Sequence, residues 1–147
     1  MLSLAQLRAI ATECPGFQAR ATARAVTRFF NARFRPLDLT GEQFSLLIGI
    51  EAAQGTTVSE LAAESGVDAT TLSRNVQKLE KRKLVRGAGR GRAGKRLELT
   101  KTGYSLLEEA VPLWQQAYAE LTMALGENRV RQANRAMRAV ATAASTS

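Results

Sequence analysis

TVSELAAESGVDATTLSRNVQKLEKRKLVRGAGRGRAGKRLELTK, residues 57–101, reads as two short helices followed by a basic hairpin. Thr57 and Glu60 make a T-x-x-E capping box, in which the hydroxyl and the carboxylate each accept a backbone N–H that would otherwise be orphaned. That helix ends near Ser65. Gly66 then supplies a left-handed backbone at no steric cost, and the small Ala62 lets a second helix cross closely, which is helix-turn-helix spacing. The second helix starts behind the N-cap Asp68 and runs to about Lys83, with Leu72, Val76 and Leu79 as its buried stripe. Its other face carries Thr70, Thr71, Ser73, Arg74, Asn75 and Lys78. These hydroxyl, guanidinium, amide and ammonium groups are the types that hydrogen-bond to base edges and phosphates in a major groove.

After Leu84 and Val85 comes GAGRGRAG, then Arg96-Leu97-Glu98-Leu99-Thr100, whose alternation places Leu97 and Leu99 on one face as a strand does. The result is a hairpin with a glycine- and arginine-rich tip, a wing that reaches toward a neighbouring minor groove, where negative potential attracts Arg. Gly89, Gly91 and Gly94 also match G-x-G-x-x-G, but a strand follows them where a phosphate cradle needs a helix N-terminus. Nucleotide binding is not expected there.

The segment resembles the winged helix of the MarR family of bacterial transcriptional regulators. The likeness rests on LTGEQFSLL before it, VSELAAESGVDATTLSRNVQKLEKRKLV within it and LELTKTGYSLL after it. The resemblance covers nearly the whole chain, because the family also carries an N-terminal helix and two C-terminal helices that pair two subunits. It implies a mainly α (α+β) fold, a winged helix-turn-helix over residues 37–100, with dimerisation helices in 1–36 and 101–147. Family wings carry an Asp-x-Arg whose Arg enters the minor groove. Here the corresponding positions are Gly91, Arg92 and Ala93, so the motif is not matched and its role is unassigned, with Arg90 or Arg92 as substitutes.

Charge agrees with this layout. Residues 68–101 hold eleven Lys/Arg against three Asp/Glu, and the rest of the chain holds ten of each, so the net +8 sits on the proposed reader. At 147 residues the chain fits one domain whose surface a second copy would help to bury. A single cysteine excludes an internal disulfide framework, and no N-terminal apolar run resembles a signal peptide or a spanning helix. A cytoplasmic protein is expected. The chain has no histidine, and so lacks the commonest metal ligand and the commonest general base. No enzyme and no cofactor are expected.

Outside the reader, Leu2, Leu4, Leu7 and Ile10 suggest a short amphipathic helix before Cys14-Pro15-Gly16. A helix from Phe17 to about Phe34 follows, with Arg20, Arg24 and Arg28 as a solvated stripe, and Pro36 ends it. Thr40 and Gln43 cap the next helix, whose face reads as Phe44, Leu47, Ile48 and Glu51. Residues 56–58 are placed to pair with the wing as a third strand. Thr100 caps a long helix to about Leu125 that carries Leu107, Val111, Trp114, Tyr118 and Leu121, with Pro112 expected to kink it. A last helix from Glu127 to about Ala143 carries Val130, Ala133, Met137 and Val140. Pairing with a second copy would bury these stripes in a two-fold dimer.

The expected function is regulation of transcription, as a ligand-responsive repressor that binds double-stranded DNA at a pseudo-palindromic operator, with no membrane partner. Arg74, Thr70, Thr71, Ser73 and Asn75 are assigned to bases or nearby phosphates, Lys78, Arg86, Lys95 and Arg96 to the backbone, and Arg90 and Arg92 to the minor groove. The resemblance implies a small aromatic or lipophilic effector, for which Phe17, Phe44 and Trp114 are candidate contacts. Cys14, beside Pro15 at a helix start, is a candidate redox sensor, since some relatives sense organic peroxides through one cysteine similarly placed. Two rivals differ in kind. A sequence-indifferent architectural protein needs no polar recognition face, and a protein-binding winged helix needs no basic one.

Overall fold

Side-chain caps fix where the helices begin. In the computed structural model, which describes residues 1–88 and 94–146, Ser3 and Gln6 form a capping box that opens α1 (Leu4–Glu13). Thr40 and Gln43 open α3 (Gly41–Ala53), Thr57 and Glu60 open α4 (Val58–Ser65), and Asp68 opens α5 (Ala69–Lys81). Each box pairs a side-chain oxygen with a backbone N–H three residues on, so three-residue spacing in the sequence is enough to announce it. α2 (Pro15–Phe34) starts at a proline, whose missing N–H costs nothing in a first turn. A 3-10 turn (Arg35–Leu37) containing Pro36 closes it. α6 (Lys101–Leu125) continues through Pro112, and α7 (Glu127–Ser145) follows Gly126.

Two compact units are formed, Asn31–Trp114 and Met1–Phe30 with Gln115–Ser147. In the first, β1 (Val85–Ala88) and β2 (Arg96–Leu99) pair antiparallel with Val85 opposite Leu99 and Arg86 opposite Glu98. The stretch expected as a third strand contributes one bridge, Thr56 to Leu97, in which the Leu97 N–H donates to the Thr56 carbonyl at 2.7 Å. Phe34, Leu47, Ile50, Leu72, Val76 and Leu79 are its largest fully buried side chains, with Leu61, Leu84, Val85 and Leu97 around them. Phe44 stacks on Phe34 with ring centroids 4.7 Å apart. This is a winged helix-turn-helix, mainly helical with a small antiparallel sheet.

Ile48 differs from its expected place. It is 40% exposed, while Leu46 and Ile50 are buried beside Phe44 and Leu47. α3 is covered on more than one side, so a single 3–4 stripe does not describe it.

In the second unit Ala117 and Val130 are buried, while Leu4, Leu7, Ile10, Met137 and Val140 are exposed. Among the described residues no helix is long and apolar enough to cross a membrane.

Candidate nucleic-acid interface

α5 is closed at its start by a side-chain cap and at its end by its own backbone. At the start, Asp68 Oδ2 accepts the Thr71 N–H and the Thr71 hydroxyl, each at 3.0 Å. The Thr71 N–H, then its hydroxyl, then the Thr70 N–H hold the Asp68 carboxyl below its ordinary range, against a smaller opposing effect of burial. At the finish, the Leu84 N–H donates to the Leu79 carbonyl at 3.0 Å and the Lys83 N–H to that of Glu80 at 2.9 Å. This is a Schellman closure with Lys83 left-handed at φ 57°. The helix therefore stops at Lys81, two residues before the position its periodicity suggests; with a lysine where glycine usually marks the turn, the sequence does not announce the stop.

Between these ends Leu72, Val76 and Leu79 face the core. Thr70, Arg74, Gln77 and Lys78 are exposed, and none of their side chains has a hydrogen-bond partner among the described residues. Gln77 was missed in the sequence. Its signal is its place three residues after Arg74, the spacing that shares a helix face. Ser73 is partly buried beside them.

Four other proposed contacts, Thr71, Asn75, Arg86 and Arg96, are engaged within the protein. The Thr71 hydroxyl serves the cap. Asn75 is partly buried, and its Nδ2 donates to Glu42 Oε1 of α3 at 2.8 Å. Arg86 and Glu98 face each other across the wing and form an ion pair, both side chains well exposed. Arg96 donates to the Gly55 carbonyl and so ties β2 to the loop after α3. Lys95 is exposed. Arg90 and Arg92 lie outside the described residues.

Arg82 adds a strut that sequence reading did not single out. Its guanidinium donates to the carbonyls of Asp38 at 2.6 Å and Leu37 at 3.4 Å. Asp38 is itself left-handed, φ 49°, at the end of the 3-10 turn. Nothing local in the sequence pairs residue 82 with residue 38.

The three aromatic side chains proposed for an effector differ in burial. Phe44 is buried on Phe34, and Trp114 is partly buried at the end of the winged unit. Phe17 is 47% exposed in the other unit, under the Arg20 guanidinium at 5.3 Å. One open pocket of the winged unit is lined by Asn31, Arg35, Thr40, Gln43 and Arg82 among others, and a second by Glu51, Leu99, Lys101 and Tyr104 among others. In the terminal unit Cys14 is partly buried at the α1–α2 joint. The backbone N–H of Phe17, then that of Gly16, and the charge of Arg20 lower its thiol pKa, with burial opposing.

The family model that matches residues 37–101 is described as the MarR family. The M. tuberculosis transcriptional regulator MosR is 38% identical, covers 90% of this chain and 98% of its own, and superposes with a TM-score of 0.78. The structure of MosR in complex with DNA is 39% identical over the same shares, with a TM-score of 0.77. A mutant MarR from E. coli complexed with operator DNA is 26% identical, covers 89% of this chain and 96% of its own, and gives a TM-score of 0.79. No curated protein sequence matches the chain.

Proposed function

The chain belongs to the MarR family, and from that premise we propose that it is a DNA-binding transcriptional regulator that reads a major groove with α5. The observation that carries this reading is the row Thr70, Arg74 and Lys78, exposed and unpartnered among the described residues, on the segment that holds the whole net charge of +8. Thr70 and Arg74 are the base contacts, with Ser73 beside them. Lys78, Lys95, Arg86 and Arg96 are the phosphate contacts, since an exposed guanidinium with one internal bond still has donors to offer. Arg90 and Arg92 are assigned to the minor groove.

Two copies act together. The exposed Leu4, Leu7, Ile10, Met137 and Val140 support pairing through the terminal helices, and a two-fold dimer then meets a pseudo-palindromic operator. Its role is repression, relieved by a small-molecule effector. The test is selection of duplexes from a random-sequence library by the purified protein. The expected product is an inverted repeat with half-sites about one helical turn, 34–36 Å, apart. A product with one unrepeated element, or a monomer in sedimentation at micromolar concentration, overturns the dimer reading.

Redox control through Cys14 is a second reading, favoured by the lowered thiol pKa at the start of α2. A hydroperoxide would oxidise the thiolate to a sulfenic acid and leave as the alcohol. Organic hydroperoxide should then release DNA from the wild type and not from Cys14→Ser. Equal behaviour of the two removes Cys14 as the sensor.

A further inference from the structure

Asn75 carries the residue type that reads adenine, yet its amide is bonded to α3. Its Nδ2 donates to Glu42 Oε1 at 2.8 Å across 33 residues of sequence. Glu42 is exposed in the first turn of α3, and Asn75 is partly buried. From the structure we infer that Glu42 is a specificity-determining positioning residue: its carboxylate fixes Asn75, and through it the rotation of α5 about its axis. This rests on the DNA-reading role proposed above.

Helical geometry places Asn75 on the flank between the buried stripe and the outward row. Successive residues advance about 100°, so Asn75 lies about 60° from Leu72 while Arg74 points away from the core. Leu72, Val76 and Leu79 supply burial, which has no direction and tolerates small rotations. A directional bond at the flank does not. A turn of about 10° moves a side-chain tip about 6 Å from the axis by about 1 Å, roughly twice the 0.5 Å within which a recognition site must be held. Arg82, bonded to the Leu37 and Asp38 carbonyls, restrains the far end of the same helix. The Glu42 bond restrains the half that holds Thr70 and Arg74.

The sign of the charge separates this role from a plain affinity role. A carboxylate beside a DNA-facing helix repels phosphate, so Glu42 weakens indiscriminate binding. Its removal therefore tightens or leaves unchanged the grip on a scrambled duplex, and degrades the choice between duplexes.

The experiment uses the full-length protein and two labelled duplexes, one enriched by the wild type from a random-sequence library and one scrambled version, at a single salt concentration. Glu42→Ala and Asn75→Ala are each expected to lower the enriched-to-scrambled affinity ratio about tenfold, the scale of a lost base contact. Glu42→Ala should bind scrambled DNA at least as tightly as the wild type. The double variant should fall no further than either single one, because both remove the same bond. Glu42→Gln keeps an accepting oxygen and should hold the ratio within about twofold. Thermal midpoints measured alongside separate loss of folding from loss of choice. An unchanged ratio in Glu42→Ala, additive single effects, or equal loss in Glu42→Gln overturns the inference and leaves the DNA reading standing. A wild type that enriches no sequence overturns the DNA reading itself.

Discussion

Gly103 of α6 lies directly against the carbonyl group of Leu84. A Cβ at residue 103 would overlap the Leu84 oxygen and stand 2.8 Å from its carbonyl carbon. That oxygen already accepts the Thr100 N–H at 3.0 Å, so it cannot turn aside without unpairing the end of the hairpin. The Thr100 hydroxyl donates to the Lys83 carbonyl at 2.6 Å and accepts the Gly103 N–H at 3.0 Å, closing the joint. Gly103→Ala gains about 1 kcal/mol as a helix former and loses about 3 kcal/mol or more to the backbone overlap. The expected result is a urea midpoint lowered by a net destabilisation of about 2 kcal/mol or more, with the slope unchanged.

Lys83 predicts the opposite sign. Its left-handed backbone, φ 57°, strains a side chain with a Cβ and costs glycine nothing. Lys83→Gly should stabilise the protein by about 0.5–1 kcal/mol, the relief being partly offset by the greater freedom of glycine in the unfolded chain. Chemical unfolding of the two proteins decides. A lower midpoint in the variant would mean that the lysine makes up its strain elsewhere.

Asp68 gives a pH dependence. Its carboxyl is held below the ordinary value of 3.8 by the Thr71 N–H, the Thr71 hydroxyl and the Thr70 N–H. A depressed carboxyl contributes stability above its unfolded pKa and loses it as pH falls through the folded one, here from roughly pH 4 downward. Asp68→Asn keeps a good N-cap without the charge. The stability advantage of wild type over Asp68→Asn should therefore shrink between about pH 6 and pH 3, as read from thermal midpoints. A constant difference would show that the charge adds nothing to the cap.

Arg74 and Lys78 should fail differently. Arg74→Ala is expected to cost roughly 1–3 kcal/mol with the enriched duplex and less with a scrambled one. Lys78→Ala should weaken both alike and reduce the salt slope by about 1. Equal losses on both duplexes for Arg74→Ala would reduce that side chain to a phosphate contact.

Cys14 should alkylate as a partly activated thiol. Iodoacetamide labelling against pH is expected to show a midpoint below the ordinary thiol value of 9.0, because the Phe17 and Gly16 N–H groups and Arg20 favour the thiolate. Arg20→Ala should raise that midpoint. A wild-type midpoint at or above the ordinary value would remove the electrostatic support for redox control.

The sequence by itself determined what is local. Thr40 with Gln43, Thr57 with Glu60, Asp68 and Gly66 marked helix ends, and Leu72, Val76 and Leu79 marked the inward face of α5, as found. Caps act over three residues and a helix face repeats every three to four, so both are written in consecutive letters. The outward row of Thr70 and Arg74 was legible for the same reason. Tertiary structure alone decided the rest: that Asn75 is held by Glu42, Arg82 by Leu37 and Asp38, Arg96 by Gly55, and that Gly103 must clear the Leu84 carbonyl. It also decided that Lys83 turns left-handed to end α5 and that Ile50 is buried where Ile48 is not. Apart from the Lys83 turn, which is local but lacks the glycine that usually signals it, each depends on groups brought together from distant parts of the chain or on how many sides of a helix are covered, and neither leaves a period or a spacing in the sequence.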